Sequence, residues 1–494
     1  MDTFVYKDHK KLRCGYTTGT CAALAAQGAV RFLLTGSWKE TEEIMTPKGI
    51  PVCVVLEEQT SGDGWAECAV RKDAGDDYDV TNGILVYARA EFLERKHPQG
   101  KTEESQISCP ETSYPASYPA SAHEKTEPEI KAEGQMQWEK GDFVRRNVEL
   151  AEELISIDGG IGIGRVTKPG LDQPVGAAAI NSVPRKMIRE AVYALLEEAG
   201  ELFPVSITIS VPAGVEAAKK TFNPVLGIEG GISVLGTSGI VEPMSEEALV
   251  DTIRTHLNVL KAEGRKWVIA VPGNMGAGFL ERYLAEKRKT YAGFQPEHIV
   301  KNTESAADTE KSIPAGSSAG SGAAADSSTG ADIFLTEALM NSLVTMSNFV
   351  GKTIDLAAEL GFSGILIAGH MGKLVKIGNG IINTHSREAD GRMDTLLSCA
   401  LSTGTDDLEL LRKVQGSNTT DEAMDHLKQA GILEDTIQIF LKRAAWHLAH
   451  RSRDEVKTGM IVFGTKGEYL GETEGTEEIL KLAFDEIKTG GTPS

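Results

Sequence analysis
After residue 265 the chain repeats one grammar: an apolar run, a glycine-bearing turn, then an amphipathic stretch. WVIAVPGNMGAGFLERYLAEK (267–287) is one such unit, and LGFSGILIAGHMGKLVKIGNG (360–380) contains another, with the helical SNFVGKTIDLAAEL (347–360) before it. Alternation of this kind predicts parallel strands, because each helix carries the chain back across one face of the sheet. In open sheets of this type the ligand crevice lies beyond the carboxyl ends of the strands. That rule places Gly273, Asn274, Met275, Gly276, Ala277 and Gly278 on the same rim as Gly369, His370, Met371, Gly372 and Lys373.

The first half of the chain lacks this grammar. IPVCVVLEEQ, ILVYARAEF, SITISVP and GISVLGT read as strands, and PRKMIREAVYALLEEAG as an amphipathic helix. GYTTGTCAALAAQGAVRFLLTG reads as a helix with threonine caps, an alanine-lined and therefore thin body, and Gly36 just past its end. Ser245 caps the stretch 246–264, with Glu246 and Glu247 in its first turn. The expected class is α+β: a mixed α+β domain over 1–255, followed by a three-layer α/β, Rossmann-like domain over 256–494. Two polar stretches, about 96–140 with SYPASYPASA and about 302–329 with IPAGSSAGSGAAADSSTG, cannot bury enough apolar surface to offset ordering entropy and are expected to be mobile surface insertions.

Composition narrows the function. No run reaches the roughly 18 apolar residues of a membrane helix, and MDTFVYKDHKKLRCGY has no apolar signal core, so no membrane association and a cytoplasmic location are expected. Six cysteines without a C-x-x-C pair or a zinc spacing read as free thiols, with no metal site of the protein's own. A net charge of −20 argues against nucleic acid as a partner, and it makes any local basic cluster informative. Between Gly159 and Arg189 stand Arg165, Lys168, Arg185, Lys186 and Arg189, with Asp172 as the one acid.

That cluster overlaps the glycine-rich ISIDGGIGIGRVTKPG (155–170). It is no dinucleotide loop: counted from Gly160 or Gly162, the third glycine position falls on Arg165 or Thr167. The alternating isoleucines predict a hairpin turning at Asp158-Gly159-Gly160. Gly160, Gly162 and Gly164 would then form a strand face without side chains, either to admit a flat ligand or to let another backbone approach. Arg165 and Lys168 sit at its end as partners for carboxylates, and Arg185 is a third such cation. Thr17, Thr18 and Thr20 precede a helix, where hydroxyls and free N–H groups make a carboxylate site.

The stretches LRCGYTTGTCAALAA, GRVTKPGLDQPVGAAAINSVPR, TFNPVLGIEGGISVLGTSGIVEPMSEEAL, PGNMGAGF and ILIAGHMGKLVKI resemble, in that order, the cobalt-precorrin-5B C1-methyltransferase (CbiD) family of anaerobic cobalamin biosynthesis. The departures are the two insertions and Ser182, where the family pattern suggests proline. The resemblance implies methyl transfer from S-adenosylmethionine to carbon C1 of a flat, carboxylate-fringed cobalt macrocycle, giving cobalt-precorrin-6A, with cobalt present only as part of the substrate. With such a substrate, the candidate contacts are Thr17, Thr18, Thr20, Gly160, Gly162, Gly164, Arg165, Lys168, Arg185 and His370. His370 could meet the cobalt axially, hydrogen-bond a carboxylate, or serve the fold. The methyl donor carries no phosphate and needs close backbone approach, which suits Gly273, Asn274, Met275, Gly276, Gly278, Gly369 and Gly372; the stretch with Gly230, Gly231, Gly236, Thr237 and Ser238 is the other candidate. No catalytic side chain is expected, since the ring carbon attacks through its own conjugated system. A tetrapyrrole carrier without catalysis stays open as the second reading, and so does a homo-oligomer.

Overall fold
A computed structural model describes residues 3–7, 9–93, 148–200, 202–291 and 338–488, so most of both expected insertions lies outside the described residues. The chain forms two compact units: Met1–Gly164 with Ala178–Ala217 and Gly231–Pro243, and Arg165–Ala177 with Ala218–Gly230 and Met244–Ser494. A cut at 255/256 follows chain order, whereas the contacts group the two arms 165–177 and 218–230 with the C-terminal residues. Helix and strand are mixed throughout.

The first unit is built around α1 (Thr18–Thr35). Thr17 caps it and Gly36 ends it in the left-handed conformation, as the residue pattern predicts. Every residue from Thr18 to Val30 is buried, and the small side chains explain how. A five-stranded sheet packs against it: β1 (Glu57–Gly62), β2 (Trp65–Arg71), β3 (Leu85–Phe92), β4 (Ile155–Gly159) and β5 (Val205–Ser210), in the order β1-β2-β3-β5-β4. The approach is close enough for the Cys68 thiol on β2 to reach the Ala25 carbonyl at 3.2 Å. Burial pushes the pKa of Cys21 and of Cys68 up to about 12, so both stay as packed thiols. Helix α2 (Ser182–Ala199) lies along α1, meeting it where Gly19 leaves room for Pro184.

The expected hairpin is absent. β4 pairs in parallel with β5, and the chain beyond Gly160 does not return beside it. Gly162 takes φ +76°, and a Cβ there would stand 1.8 Å from the Val211 carbonyl oxygen. Gly214 and Gly231 crowd the Gly162 carbonyl in the same way. Four segments are stitched here by backbone bonds, among them Val211 N–H to Ile161 O (2.8 Å), Ile232 N–H to Gly162 O (2.9 Å) and Ala179 N–H to Gly164 O (2.8 Å). Gly160 is half-buried against Ser210, and Gly162 and Gly164 are buried. The glycines therefore form a crossing of backbones and present no bare strand face. GISVLGT likewise takes part only in isolated bridges, Ile163 to Ile232 and Ile180 to Val234.

The second unit follows the strand–turn–helix grammar. Helix α3 (Glu246–Ala262) leads into β6 (Trp267–Val271), α4 (Asn274–Tyr291), β7 (Val344–Thr345), α5 (Val350–Glu359) and β8 (Gly364–His370). Then come α6 (Arg392–Leu401), α7 (Leu408–Gly416), α8 (Thr420–Gln429), α9 (Leu433–Ser452), β9 (Lys457–Phe463), β10 (Tyr469–Glu472) and α10 (Thr476–Lys488). The sheet order is β7-β6-β8-β9-β10, with the first four strands parallel and β10 antiparallel. Side-chain alternation sorts the strands into two cores. Val268, Ile365, Ile367 and Val462 pack with α3, α5 and α6 to α9; Ile269, Leu366, Ile461 and Phe463 pack with α4 and α10.

Candidate functional site
In the second unit the chain leaves the adjacent strands β6 and β8 toward opposite faces of the sheet. After β6 it enters α4, whose Phe279, Leu280 and Leu284 belong to one core; after β8 it enters the short helix Met371–Leu374, whose Met371 and Leu374 belong to the other. By the rule for doubly wound sheets, such a divergence marks the ligand crevice at the strands' carboxyl ends. The two glycine turns singled out in the sequence, 273–278 and 369–372, lie at those ends.

Each glycine has a physical reason. The Gly273 carbonyl accepts from Gly276 N–H (2.9 Å) and Ala277 N–H (3.2 Å), opening the first turn of α4. A Cβ on Gly276 would stand 2.9 Å from Val271 Cβ and 3.0 Å from the Ala368 carbonyl, so this glycine seats α4 against β6 and β8. Gly369 does the same between Leu374 and Pro272. Gly273 and Gly278 differ, since no atom lies within 4 Å of the Cβ either would carry. Asn274 and Met275 between them are exposed. The turn is held by packed glycines and leaves backbone open at others, which is what an extended ligand laid along a main chain requires.

His370 ends β8 with both ring nitrogens engaged. Nδ1 accepts from Gly372 N–H at 2.9 Å, so the neutral ring carries its proton on Nε2, which lies 2.9 Å from Thr465 Oγ1. The Thr465 hydroxyl in turn donates to Asp421 on α8. His370 is thus a fold-holding residue at the edge of the crevice, and an axial bond to a metal would break one of these contacts. Thr465 and Asp421 escaped the sequence reading. The signal was there in MIVFGTKGEYL (460–470), a further apolar run followed by a glycine turn.

The remaining candidates are placed elsewhere. Thr17, Thr18 and Thr20 are buried, and their hydroxyls serve the fold: Thr17 caps Thr20 N–H, Thr18 Oγ1 bonds the Leu235 carbonyl (3.3 Å) and accepts from Leu235 N–H (3.0 Å), and Thr20 Oγ1 donates to the Gly239 carbonyl at 2.6 Å. They moor the 235–239 stretch, where a Cβ on Gly236 would strike Thr17. Arg185 donates to the carbonyls of Ile180 (2.8 Å), Ile157 (2.9 Å) and Ala178 (3.5 Å), a bracket within the first unit. Arg165 and Lys168 stand in the second unit. Arg165 is exposed opposite Glu229, and Lys168 is half-exposed, 3.3 Å from Glu263, with Gly227 leaving room for its stem. Among the described residues no group of three metal-ligating side chains converges, and no helix is long and apolar enough to cross a membrane.

Known proteins similar to this chain identify its family. The CbiD family model matches residues 5–107 and 130–243, and the model for the CbiD C-terminal domain matches residues 383–474. The cobalt-precorrin-5B C(1)-methyltransferase of Thermoanaerobacter sp. (strain X514) is 35% identical, covering 90% of this chain and 90% of that protein. The proteins of the same name from Ruminiclostridium cellulolyticum and Methanocaldococcus jannaschii are 34% and 33% identical, covering 99% and 94% of this chain and 100% and 98% of their own length. A crystal structure of the cobalamin biosynthesis protein cbiD from Archaeoglobus fulgidus matches at 22% identity over 79% of this chain and 87% of that one, with a TM-score of 0.31. Two CbiD family models, and relatives more than 30% identical along nearly the whole length, make this chain a member of the CbiD family.

Proposed function
We propose that this protein is an S-adenosylmethionine-dependent methyltransferase that methylates C1 of cobalt-precorrin-5B to give cobalt-precorrin-6A in cobalamin biosynthesis. The second unit is its Rossmann-like, donor-binding part. The observation that carries this reading is the divergence of the chain after β6 and β8, with open positions at Gly273 and Gly278 beside the turn 369–372; the names of the relatives supply the reaction. The residues that would hold the donor are Gly273, Asn274, Met275, Gly276, Gly278, Gly369 and Gly372. When bound, the donor supplies an electrophilic methyl group.

What the chain contributes is placement. An in-line displacement at methyl needs the two reacting atoms aligned and water excluded, and well-oriented encounters of this kind are worth about 7–11 kcal/mol. The ring carbon uses its own conjugated electrons, so no side chain need act as a base. Arg165 and Lys168 serve as cations for the substrate's carboxylate fringe, a role in which Lys168 exchanges Glu263 for the ligand. The test incubates the purified protein with methyl-labelled donor and cobalt-precorrin-5B, and reads the product by mass. Label recovered in a product one methyl heavier supports the reading. Macrocycle that binds but returns unmethylated, from a protein that takes up no S-adenosylhomocysteine, replaces it with the carrier.

A further inference from the structure
One cation of the second unit has no use in the fold. Lys373 lies three residues beyond β8, in the helix Met371–Leu374 at the edge of the crevice, and is half-buried. It makes no hydrogen bond or ion pair with any described residue. Two acids of neighbouring loops are engaged elsewhere: Asp390 holds Arg392 at 2.5 and 2.9 Å, and Asp421 accepts from Thr465. A second lysine adds to the charge instead of offsetting it. Lys376, 3% exposed, donates to the carbonyls of Ala389 (2.7 Å) and Thr384 (3.2 Å) and has no carboxylate at its ammonium. The loop it clasps is tied to Asn348, just past β7, through Thr384 N–H to Asn348 O at 3.0 Å. Segments following β7 and β8 therefore converge around the Lys376 ammonium.

An ammonium withdrawn from water without a counter-ion is unfavourable. Burial first, and Lys376 second, hold the Lys373 pKa below the ordinary lysine value. In a chain of net charge −20, such a lysine is explained if an anion arrives with the ligand. Both reactants of the proposed reaction carry carboxylates.

We infer that the Lys373 ammonium is the carboxylate-binding group of this crevice, receiving either the amino-acid carboxylate of the methyl donor or a side-chain carboxylate of the macrocycle. The inference rests on the methyltransferase reading for the identity of its ligands. The full-length protein and the variants Lys373→Met and Lys373→Arg are titrated with S-adenosylhomocysteine, with methylthioadenosine, which lacks the amino-acid end, and with cobalt-precorrin-5B. Thermal melting confirms that each variant is folded. If the donor's carboxylate is held, Lys373→Met weakens S-adenosylhomocysteine by roughly 10- to 100-fold, the range of a charged hydrogen bond. Methylthioadenosine then binds as before and Lys373→Arg recovers part of the loss. If the macrocycle's carboxylate is held, S-adenosylhomocysteine is untouched and cobalt-precorrin-5B weakens by a similar factor. Unchanged binding of both in folded Lys373→Met overturns the inference. A wild-type protein that binds no S-adenosylhomocysteine overturns the donor reading instead, and the macrocycle titration still decides Lys373.

Discussion

At the scale of single residues, the informative comparison is between cations that look alike in sequence. Arg185 and Lys373 both lie near glycine-rich stretches, yet Arg185 gives its guanidinium to three main-chain carbonyls while Lys373 has no partner among the described residues. Arg185→Met is expected to lower stability by about 1.5–3 kcal/mol, as for a hydrogen-bonded charge removed from its acceptors. Urea unfolding measures it; an unchanged midpoint with weakened macrocycle binding would return Arg185 to the ligand site. His256 on α3 is a second case. Burial, and then Lys168, lowers its pKa from 6.5 to about 4. The native state resists protonation there while the unfolded chain accepts it, so stability is intact above pH 6.5 and falls as the pH drops toward 4. The loss is about 3 kcal/mol, from roughly 1.4 kcal/mol per pKa unit. Replacing His256 with Gln should flatten that part of the pH–stability curve relative to wild type, and an identical slope would refute the assignment.

At the scale of elements, two glycines separate packing from openness. Gly162 stands in the left-handed region with the Val211 carbonyl where its Cβ would go, so Gly162→Ala requires a backbone shift and is expected to cost more than about 2 kcal/mol. Gly278 is inside α4 with nothing near its Cβ position, and alanine there should raise stability by about 0.5–1 kcal/mol. Under the proposed function, the same Gly278→Ala narrows the donor crevice and weakens S-adenosylhomocysteine. Thermal melts and calorimetry on the two variants read both effects. If Gly162→Ala is neutral, the crossing of backbones is not as tight as described.

At the scale of the whole molecule, ligand binding should be visible as stability. A donor analogue that binds only the folded chain, present at one hundred times its Kd, stabilises it by about 2.7 kcal/mol. For a unit of this size that is a rise of roughly 5–10 °C in its melting transition. A scan with saturating S-adenosylhomocysteine that shows no shift would remove the donor from the second unit.

The local signals read well wherever a residue's environment is made by its chain neighbours. The caps Thr17, Gly36 and Ser245, the alanine-lined α1, and the strand–turn–helix units with their rim of Gly273–Gly278 and Gly369–Gly372 were all legible, because periodicity and turn chemistry act over a few residues. The five blocks that mark the family were legible for a different reason, being matched as patterns. What the tertiary structure alone decided is which glycines and which hydroxyls the fold itself occupies. Gly160 to Gly164 resembled a bare strand face because the partners of Gly162, namely Val211, Gly214 and Gly231, stand 49 to 69 positions away, and Thr18 and Thr20 resembled a carboxylate site because Leu235 and Gly239 are more than 200 positions away. A group's freedom to bind depends on what the rest of the chain places against it, and short-range sequence carries no record of that.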